Sequence, residues 1–259
     1  MGLLDDRVVV VSGIGPGLGT AIALQSARAG ATVVLAARTE RRLEKVAAAV
    51  QEIGGTATVV RTDITDDASA QNLLDRTLEE HGRVDALVNN AFAMPPIEPV
   101  SQADFDVVRD GFETNVLGAL RMSKVFVPAL EQTRGAIVTV NSAVLRHSSP
   151  EYGAYKMSKA ALLAMSQTLA SEVGPRGVRV NSVAPGYIYA DSLKWWFDHL
   201  AEERGVTHQQ VYDETAATCD LRRLPVPEEI ADAVVFLASD LSRGITGQCL
   251  DVNCGEYHH

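Results

Sequence analysis

The chain has 259 residues, 46% of them hydrophobic and 22% charged, a composition that excludes a wholly disordered protein. Acidic residues outnumber basic ones by 33 to 23, and the formal net charge of −10 argues against binding to nucleic acid or to an anionic membrane surface. Three cysteines without a CxxC pair argue against a disulfide framework or a zinc site and favour a reducing cytoplasm.

Short runs of β-branched residues alternate along the chain with amphipathic stretches. The runs predict strands at 7–12, 32–37, 57–62, 84–90, 135–141, 177–184 and 248–252. The amphipathic stretches predict helices at about 18–29, 40–53, 67–81, 102–131, 153–174 and 227–239. The strands are apolar throughout, so both faces of the sheet are expected to be covered. This order predicts an α/β, doubly wound fold with a seven-stranded parallel sheet and helices on both faces, in a single domain over 1–259.

A glycine-rich turn, SGIGPGLG at residues 12–19, follows the first predicted strand and opens the first predicted helix. Glycines let the backbone approach a pyrophosphate, and the start of a helix presents N–H groups to it. The turn therefore predicts a dinucleotide site, whereas the alternative is a tight turn without a ligand. No Gly-Lys-Ser/Thr follows, which disfavours a Walker-type ATP site, and Pro16 removes one N–H donor.

The second predicted strand ends in Ala37 and is followed by Arg38. NAD-binding folds usually carry an acid at this place to bind the ribose 2′-hydroxyl. A guanidinium instead suits a 2′-phosphate. Arg38 therefore predicts NADP(H) as the preferred cofactor, with NAD(H) as the alternative. A solvated charge at the start of a helix is the other interpretation of Arg38, and it also applies to Arg41 and Arg42.

Two overlapping Y-x-x-x-K pairs, Tyr152/Lys156 and Tyr155/Lys159, stand at the start of a predicted helix. Residues four apart share a helix face, and an ammonium beside a phenol lowers the phenol pKa from its usual value of about 10. Such a tyrosine can exchange a proton with a carbonyl or alcohol oxygen near neutral pH. The pattern alone is common by chance. Ser142 provides context, because its hydroxyl follows a predicted strand and is expected to face the ligand crevice.

Residues 187–223 form a long connection that holds both tryptophans and three of the six tyrosines. An insertion after a strand in a doubly wound fold overhangs the ligand crevice, and connections of this length are usually functional. We interpret the segment as a substrate lid. The alternative is a helical excursion that covers the sheet edge or contacts another subunit.

These motifs together resemble those of the short-chain dehydrogenase/reductase family, and the similarity covers nearly the whole chain. The family's glycine motif corresponds to 12–19. Its other motifs correspond to Asp63, to Asn89-Asn90-Ala91 with Phe92 in place of glycine, to Asn115, to Pro185-Gly186 and to the C-terminal TGQCLDVNCG. Its spacing of thirteen residues from serine to tyrosine selects Ser142, Tyr155 and Lys159. Tyr152/Lys156 is then a chance pair.

The resemblance implies a Rossmann fold and a catalytic set of Asn115, Ser142, Tyr155 and Lys159. Tyr155 is expected to act as general acid/base and Ser142 to bind the substrate oxygen. Lys159 is expected to lower the Tyr155 pKa and bind the nicotinamide ribose, while Asn115 holds a relay water. The implied cofactor-binding residues are Gly13, Gly15, Gly17, Leu18, Arg38, Asp63, Ile64, Asn90, Ala91, Tyr155, Lys159, Pro185, Gly186 and Ile188.

Two positions depart from the family pattern. Phe92 replaces a glycine and is expected to project a ring near the nicotinamide end. Ala190 stands where the family often has a threonine that binds the cofactor, and Tyr189, Asp191 and Ser192 are the candidate substitutes. His147 is either a substrate contact or part of a solvated loop. No histidine has metal-ligand spacing, and no metal is expected.

The sequence thus predicts a cytoplasmic NADP(H)-dependent oxidoreductase that interconverts a secondary alcohol and a ketone. The aromatic lid favours a fairly large, apolar small-molecule substrate. One alternative is a 3-oxoacyl-thioester reductase, and another is a dinucleotide-binding regulator without catalysis. The resemblance also implies a homotetramer, or otherwise a dimer, built by pairing helices 102–131 and 153–174 and by packing C-terminal strands.

Overall fold

The computed structural model describes residues 2–258, along which strands and helices alternate. The strands are β1 Val8–Ser12, β2 Thr32–Ala37, β3 Thr56–Arg61, β4 Ala86–Asn89, β5 Ala136–Val140, β6 Arg179–Pro185 and β7 Cys249–Val252. The helices are α1 Leu18–Arg28, α2 Glu40–Glu52, α3 Asp67–His81, α4 Phe105–Phe112, α5 Ala119–Thr133, α6 Gly153–Val173, α7 Asp191–Arg204, α8 His208–Ala216 and α9 Pro227–Ala238.

The strands form one parallel sheet in the order β3-β2-β1-β4-β5-β6-β7. Val10 of β1 pairs with Val34 on one side and with Leu87 on the other. The direction of winding reverses between β1 and β4, and a crevice opens there at the C-terminal ends of the strands. The predicted seven-stranded, doubly wound parallel sheet is confirmed, within residues 2–258, and each strand boundary lies within two residues of its prediction.

The apolar runs explain why helices cover both faces of the sheet. All five residues of β1 are buried. Successive side chains of a strand point to opposite faces, so Val9 and Val11 pack on one side and Val8 and Val10 on the other. The first side is covered by α1, α2 and α9, and the second by α3, α5 and α6. Within residues 2–258, no helix has the length and apolar character needed to span a membrane.

Two regions differ from the sequence prediction. The predicted helix 102–131 begins only at Phe105, and a π-helical turn, Glu113–Gly118, separates α4 from α5. The chain is thus helical over most of the predicted range, and the π-helical turn within it was not predicted. The connection 187–223 contains α7 and α8, which pack on a small core of their own around Phe197 and Val211.

Candidate active site

A cavity of about 460 Å³ lies at the C-terminal ends of the central strands. Ser142 lines it, and so do all fourteen predicted cofactor-binding residues. These fourteen are Gly13, Gly15, Gly17, Leu18, Arg38, Asp63, Ile64, Asn90, Ala91, Tyr155, Lys159, Pro185, Gly186 and Ile188. Asn115 is the one predicted site residue that is buried behind the cavity wall instead. The fold thus brings segments from across the chain to one site of ligand-binding size.

The glycine turn has a backbone that other residues would strain. Gly13 and Gly17 both have φ of +88°, and a Cβ on Gly13 would lie 2.3 Å from the Ala91 nitrogen. The Asn90 side chain donates to the Gly13 carbonyl at 2.7 Å and ties the turn to the end of β4. Helix α1 then begins at Leu18 without a capping side chain. Its first N–H groups and dipole are therefore suited to a phosphate.

The residues present fit a dinucleotide on two further observations. A Cβ placed on Gly15 would meet no atom within 4 Å, so the turn leaves open space in the cavity wall at that point. Lys159 is 2% exposed, and its Nζ donates to the Val140 carbonyl at 2.9 Å. An ammonium has three N–H donors, so ribose hydroxyls would supply acceptors that suit this buried group.

Two arginines stand at the end of the cavity beside β2. Arg38 and Arg42 are exposed and both line it, with Arg42 in the first turn of α2. The sequence interpretation of Arg42 as a solvated charge missed this position. Across from them, Asp63 accepts the Thr65 N–H at 3.0 Å and its hydroxyl at 2.8 Å. These hydrogen bonds hold the Asp63 pKa below its usual value, and Arg38 and Arg61 lower it further.

Ser142 follows β5, and Tyr155 and Lys159 lie in the first turns of α6. The Lys159 Nζ is 5.7 Å from the centroid of the Tyr155 ring. Burial raises the pKa of Tyr155 to about 12, although a hydrogen bond with the Ser142 side chain acts to lower it. Burial lowers the pKa of Lys159 to about 7. The structure thus gathers a phenol, a hydroxyl and a desolvated amine in one wall of the cavity.

The direction of the Tyr155 pKa shift corrects the sequence prediction. The neighbouring ammonium was expected to lower that pKa, whereas desolvation of the phenolate outweighs any such effect. Lys159 is itself buried, and an amine with a pKa of about 7 carries only part of a positive charge at neutral pH. Burial thus disfavours the charged form of both groups.

Asn115 lies in the π-helical turn, where both the oxygen and the nitrogen of its side-chain amide make hydrogen bonds. Its Oδ1 accepts the Ala93 N–H at 2.7 Å, and its Nδ2 donates to the Ala93 carbonyl at 2.8 Å and to the Ser158 hydroxyl at 3.1 Å. π-helical turns often occur at functional sites. The side chain thereby joins the segment after β4 to the helix that carries Tyr155.

The second Y-x-x-x-K pair is directed elsewhere. The Lys156 Nζ donates to the Ser148 hydroxyl at 2.9 Å and to the His147 carbonyl. Tyr152 makes a hydrogen bond with Tyr187. The structure therefore brings Tyr155/Lys159, and not Tyr152/Lys156, to the cavity.

The C-terminal segment contacts the loops around the site, which the sequence reasoning missed. Tyr257 stacks on His147 with ring centroids 4.7 Å apart, so His147 packs within the protein. The Glu256 carboxylate accepts the Tyr187 N–H, while burial raises the Glu256 pKa. The Asp220 N–H donates to the Gly255 carbonyl at 3.3 Å. The segment thus joins the connection 187–223 to the loop that follows β5.

Ala190, which stands in place of the family's threonine, lines the cavity. Of the three candidate substitutes, only Ser192 lines it as well. Tyr189 packs against the core of the connection, and Asp191 pairs with Lys194 at 3.6 Å. The cavity wall at this position is therefore formed by the first turn of α7.

Comparison with known proteins agrees with this arrangement. A family model described as enoyl-(acyl carrier protein) reductase matches residues 13–257. The 7alpha-hydroxysteroid dehydrogenase of Escherichia coli K12 is 32% identical over 255 residues, which cover 97% of this chain and 94% of that protein. The 3-oxoacyl-(acyl-carrier-protein) reductase of Thermotoga maritima is 30% identical over 260 residues, 97% and 98% of the two chains.

Solved structures give the same result. A 7alpha-hydroxysteroid dehydrogenase complexed with NADH and 7-oxo glycochenodeoxycholic acid superposes with a TM-score of 0.88 at 30% identity, covering 100% of this chain and 97% of that one. A protein of Burkholderia xenovorans assigned to the short-chain dehydrogenase/reductases gives a TM-score of 0.90 at 30% identity, with coverage of 99% and 98%.

Proposed function

The chain belongs to the short-chain dehydrogenase/reductase family of oxidoreductases, which act on CH–OH groups with NAD(P), and we propose that it is an NADP(H)-dependent enzyme interconverting a secondary alcohol and a ketone. The observation that carries this proposal is the meeting of Ser142, Tyr155 and Lys159 in a cavity whose other end is the glycine turn. A proton-transfer set beside a phosphate site suits hydride chemistry on a carbonyl.

Tyr155 is the general acid in the proposed reduction. Its raised pKa keeps the phenol protonated at neutral pH, so its proton is available to the substrate oxygen as charge develops there. Ser142 donates a second hydrogen bond to the same oxygen. A bound nicotinamide cofactor supplies the hydride. In the opposite direction the phenolic proton must first leave through the proton relay, and the resulting Tyr155 phenolate accepts the proton of the alcohol.

Lys159 and Asn115 support Tyr155 in this proposal. Lys159 binds the ribose hydroxyls, and its pKa of about 7 lets it exchange a proton near neutral pH. The Asn115 Oδ1 accepts one N–H from Ala93 and retains a second acceptor position, which suits the proposed relay water.

We propose that residues 187–223 form the substrate lid. Ala190 and Ser192 line the cavity, and Trp195 and Trp196 follow on the same face of α7 because they lie three and four residues after Ser192. Trp195 is 68% exposed and Trp196 41% exposed, an unusual exposure for so large an apolar surface. This face suits a fairly large, apolar substrate, and a relative named for a hydroxysteroid supports that class.

A hydrogen-bonded chain holds the lid together, and breaking it is expected to weaken substrate binding. The His208 ring joins the Tyr189 hydroxyl at 3.0 Å to the Asp198 carboxylate at 2.6 Å. We expect His208→Ala to raise KM about fivefold with little change in kcat. A fivefold change corresponds to about 1 kcal/mol, the usual contribution of a hydrogen bond. Steady-state kinetics and acrylamide quenching of the tryptophans measure this. Gln209→Ala, at an exposed position of the same helix, is the control.

Unchanged KM and unchanged quenching in His208→Ala would contradict the proposal that this chain of hydrogen bonds orders a lid. An equal effect of Gln209→Ala would show a general loss of helix α8 instead.

The first alternative is a 3-oxoacyl-thioester reductase, which the relative from Thermotoga maritima supports. Docking of an acidic carrier protein needs free cations, and Arg222 and Arg223 are the candidates in the lid. Arg223 pairs with both oxygens of Glu229 at 2.6 and 2.7 Å, and Arg222 donates to the Ala217 carbonyl. Of these two arginines, only Arg223 is thus ion-paired within the described residues, and the single exposed charge of Arg222 does not form a basic patch, which favours a free small molecule. The second alternative, a regulator, is disfavoured because the proton-transfer set is complete.

Two measurements test the proposed function. A fluorescence titration with NADPH measures cofactor binding, and the absorbance of NADPH at 340 nm measures turnover with a panel of ketones. Binding followed by turnover is expected. Binding without turnover of any ketone or alcohol would favour the regulator. Turnover restricted to 3-oxoacyl thioesters would favour the first alternative.

We further propose a homotetramer in the cytoplasm. Leu117 is 45% exposed and Leu120 39% exposed on the helical segment predicted to pair between subunits, and Leu250 is 41% exposed on the edge strand β7. Apolar side chains at these positions suit the expected subunit contacts. The three cysteines are free, as suits a reducing compartment.

A further inference from the structure

Phe92 places an aromatic ring in the wall of the cavity. It follows β4 at the position where the family motif has a glycine. The Lys159 Nζ lies 5.9 Å from the Phe92 ring centroid and 5.7 Å from the Tyr155 ring centroid. Both rings therefore lie within about 6 Å of the same Lys159 nitrogen. The Phe92 side chain is nevertheless 58% exposed, so much of the ring is free to meet a ligand.

The backbone that follows Phe92 is held in place by hydrogen bonds. The next residue, Ala93, has its N–H and its carbonyl bound by the Asn115 amide at 2.7 and 2.8 Å. Asn115 is 1% exposed and also contacts the Ser158 hydroxyl, which donates to the Tyr155 carbonyl at 2.8 Å. One network thus anchors the segment that carries Phe92 and the helix that carries Tyr155. The Phe92 ring therefore extends from an anchored backbone toward Lys159, and a residue that determines specificity needs such a fixed position.

We propose that Phe92 determines substrate specificity by stacking on a flat, apolar face next to the reacting carbonyl. This inference rests on the proposed function, because it concerns the same cavity. An aromatic ring gains from offset stacking on a planar ring system, whereas a cage-shaped skeleton touches it at few atoms. The substrate class is then a ketone or secondary alcohol carried on, or directly beside, a planar ring. A glycine at this position would leave that wall open to both shapes.

Ligands that cannot react test the inference without turnover. We compare 2-naphthol, which is flat, with 1-adamantanol, a cage of ten carbons like naphthol, by calorimetry on the NADPH-saturated protein. The wild type is expected to bind 2-naphthol about tenfold more tightly, as stacking predicts. Phe92→Gly is expected to reduce that preference about tenfold, and Phe92→Leu to give an intermediate value because it keeps bulk without a ring face.

Met94 provides the matched control, since it is 49% exposed in the same segment and does not line the cavity. Met94→Ala is expected to leave the preference unchanged. A kinetic comparison of 1-tetralone with camphor should follow the same order of variants.

Three outcomes would overturn the inference: equal binding of the two ligands by the wild type, an unchanged preference in Phe92→Gly, or a change only in NADPH affinity. The last would assign the ring to the cofactor. Failure of the proposed function is distinguishable, because it would appear as the absence of turnover with every ketone while the ligand preference and its loss in Phe92→Gly remained.

Discussion

Replacing Tyr155 with phenylalanine is expected to lower kcat for ketone reduction by about 10³-fold, within the range for loss of a general acid. The variant keeps the ring and loses only the hydroxyl. Because the phenol is protonated at neutral pH, no charge is removed and the fold should be undisturbed. NADPH affinity should therefore stay within about twofold of the wild type. Fluorescence titration and 340 nm kinetics measure the two effects separately.

Tyr152→Phe is the matched control for this experiment. It removes the same hydroxyl three residues earlier, on the pair whose lysine is directed to the Ser148 hydroxyl. We expect its kcat to stay within about threefold of the wild type, because the hydroxyl that is removed makes its hydrogen bond with Tyr187. Retention of more than a few per cent of activity by Tyr155→Phe would rule out the proposed role.

The sheet and its glycine turn could be predicted because their causes are local. Strands buried on both faces have nearly continuous apolar runs, as in β1, where four valines precede Ser12 and all five residues are buried. The turn at Gly13 needs a residue that adopts positive φ and has no side chain, and only glycine satisfies both conditions. Residues within a few positions of each other therefore contain enough information for these elements.

The parts that the sequence did not reveal depend on contacts between distant segments. The π-helical turn accompanies the hydrogen bonds that Asn115 makes to Ala93, 22 residues away. The stacking of Tyr257 on His147 likewise joins separate segments. The pKa of Tyr155 required the balance between burial and charge, and spacing on a helix reports only the charge. Pattern alone could not supply these facts.

The second large effect is expected for cofactor choice. Arg38 lines the cavity just after β2, and Arg42 in α2 lines it as well. A guanidinium can form two charge-assisted hydrogen bonds to a 2′-phosphate, whereas a 2′-hydroxyl offers no charge. Arg38→Asp is therefore expected to weaken NADPH binding about 100-fold, which corresponds to hydrogen bonds to a charged group of about 2–3 kcal/mol. The introduced carboxylate can accept the 2′-hydroxyl of NADH and should maintain or improve its affinity.

Titration with NADPH and with NADH, each followed by fluorescence, measures the ratio of the two dissociation constants. Arg41→Ala is the control, because Arg41 is exposed and adjacent in sequence and does not line the cavity. The ratio of the NADPH and NADH dissociation constants of Arg41→Ala should stay within about twofold of the wild-type ratio. Arg42→Ala should reduce NADPH affinity by a smaller factor than Arg38→Asp, since it leaves one guanidinium in the cavity.

Salt provides an independent measure of the same interaction. Contacts between charged groups at an exposed site weaken with ionic strength, so NADPH affinity should fall more steeply with added salt than NADH affinity. Arg38→Asp should remove most of that difference. A variant whose NADPH to NADH ratio stayed within about threefold of the wild type would instead assign Arg38 to a solvated surface and make NAD(H) the better proposal, in line with the NADH-bound 7alpha-hydroxysteroid dehydrogenase structure.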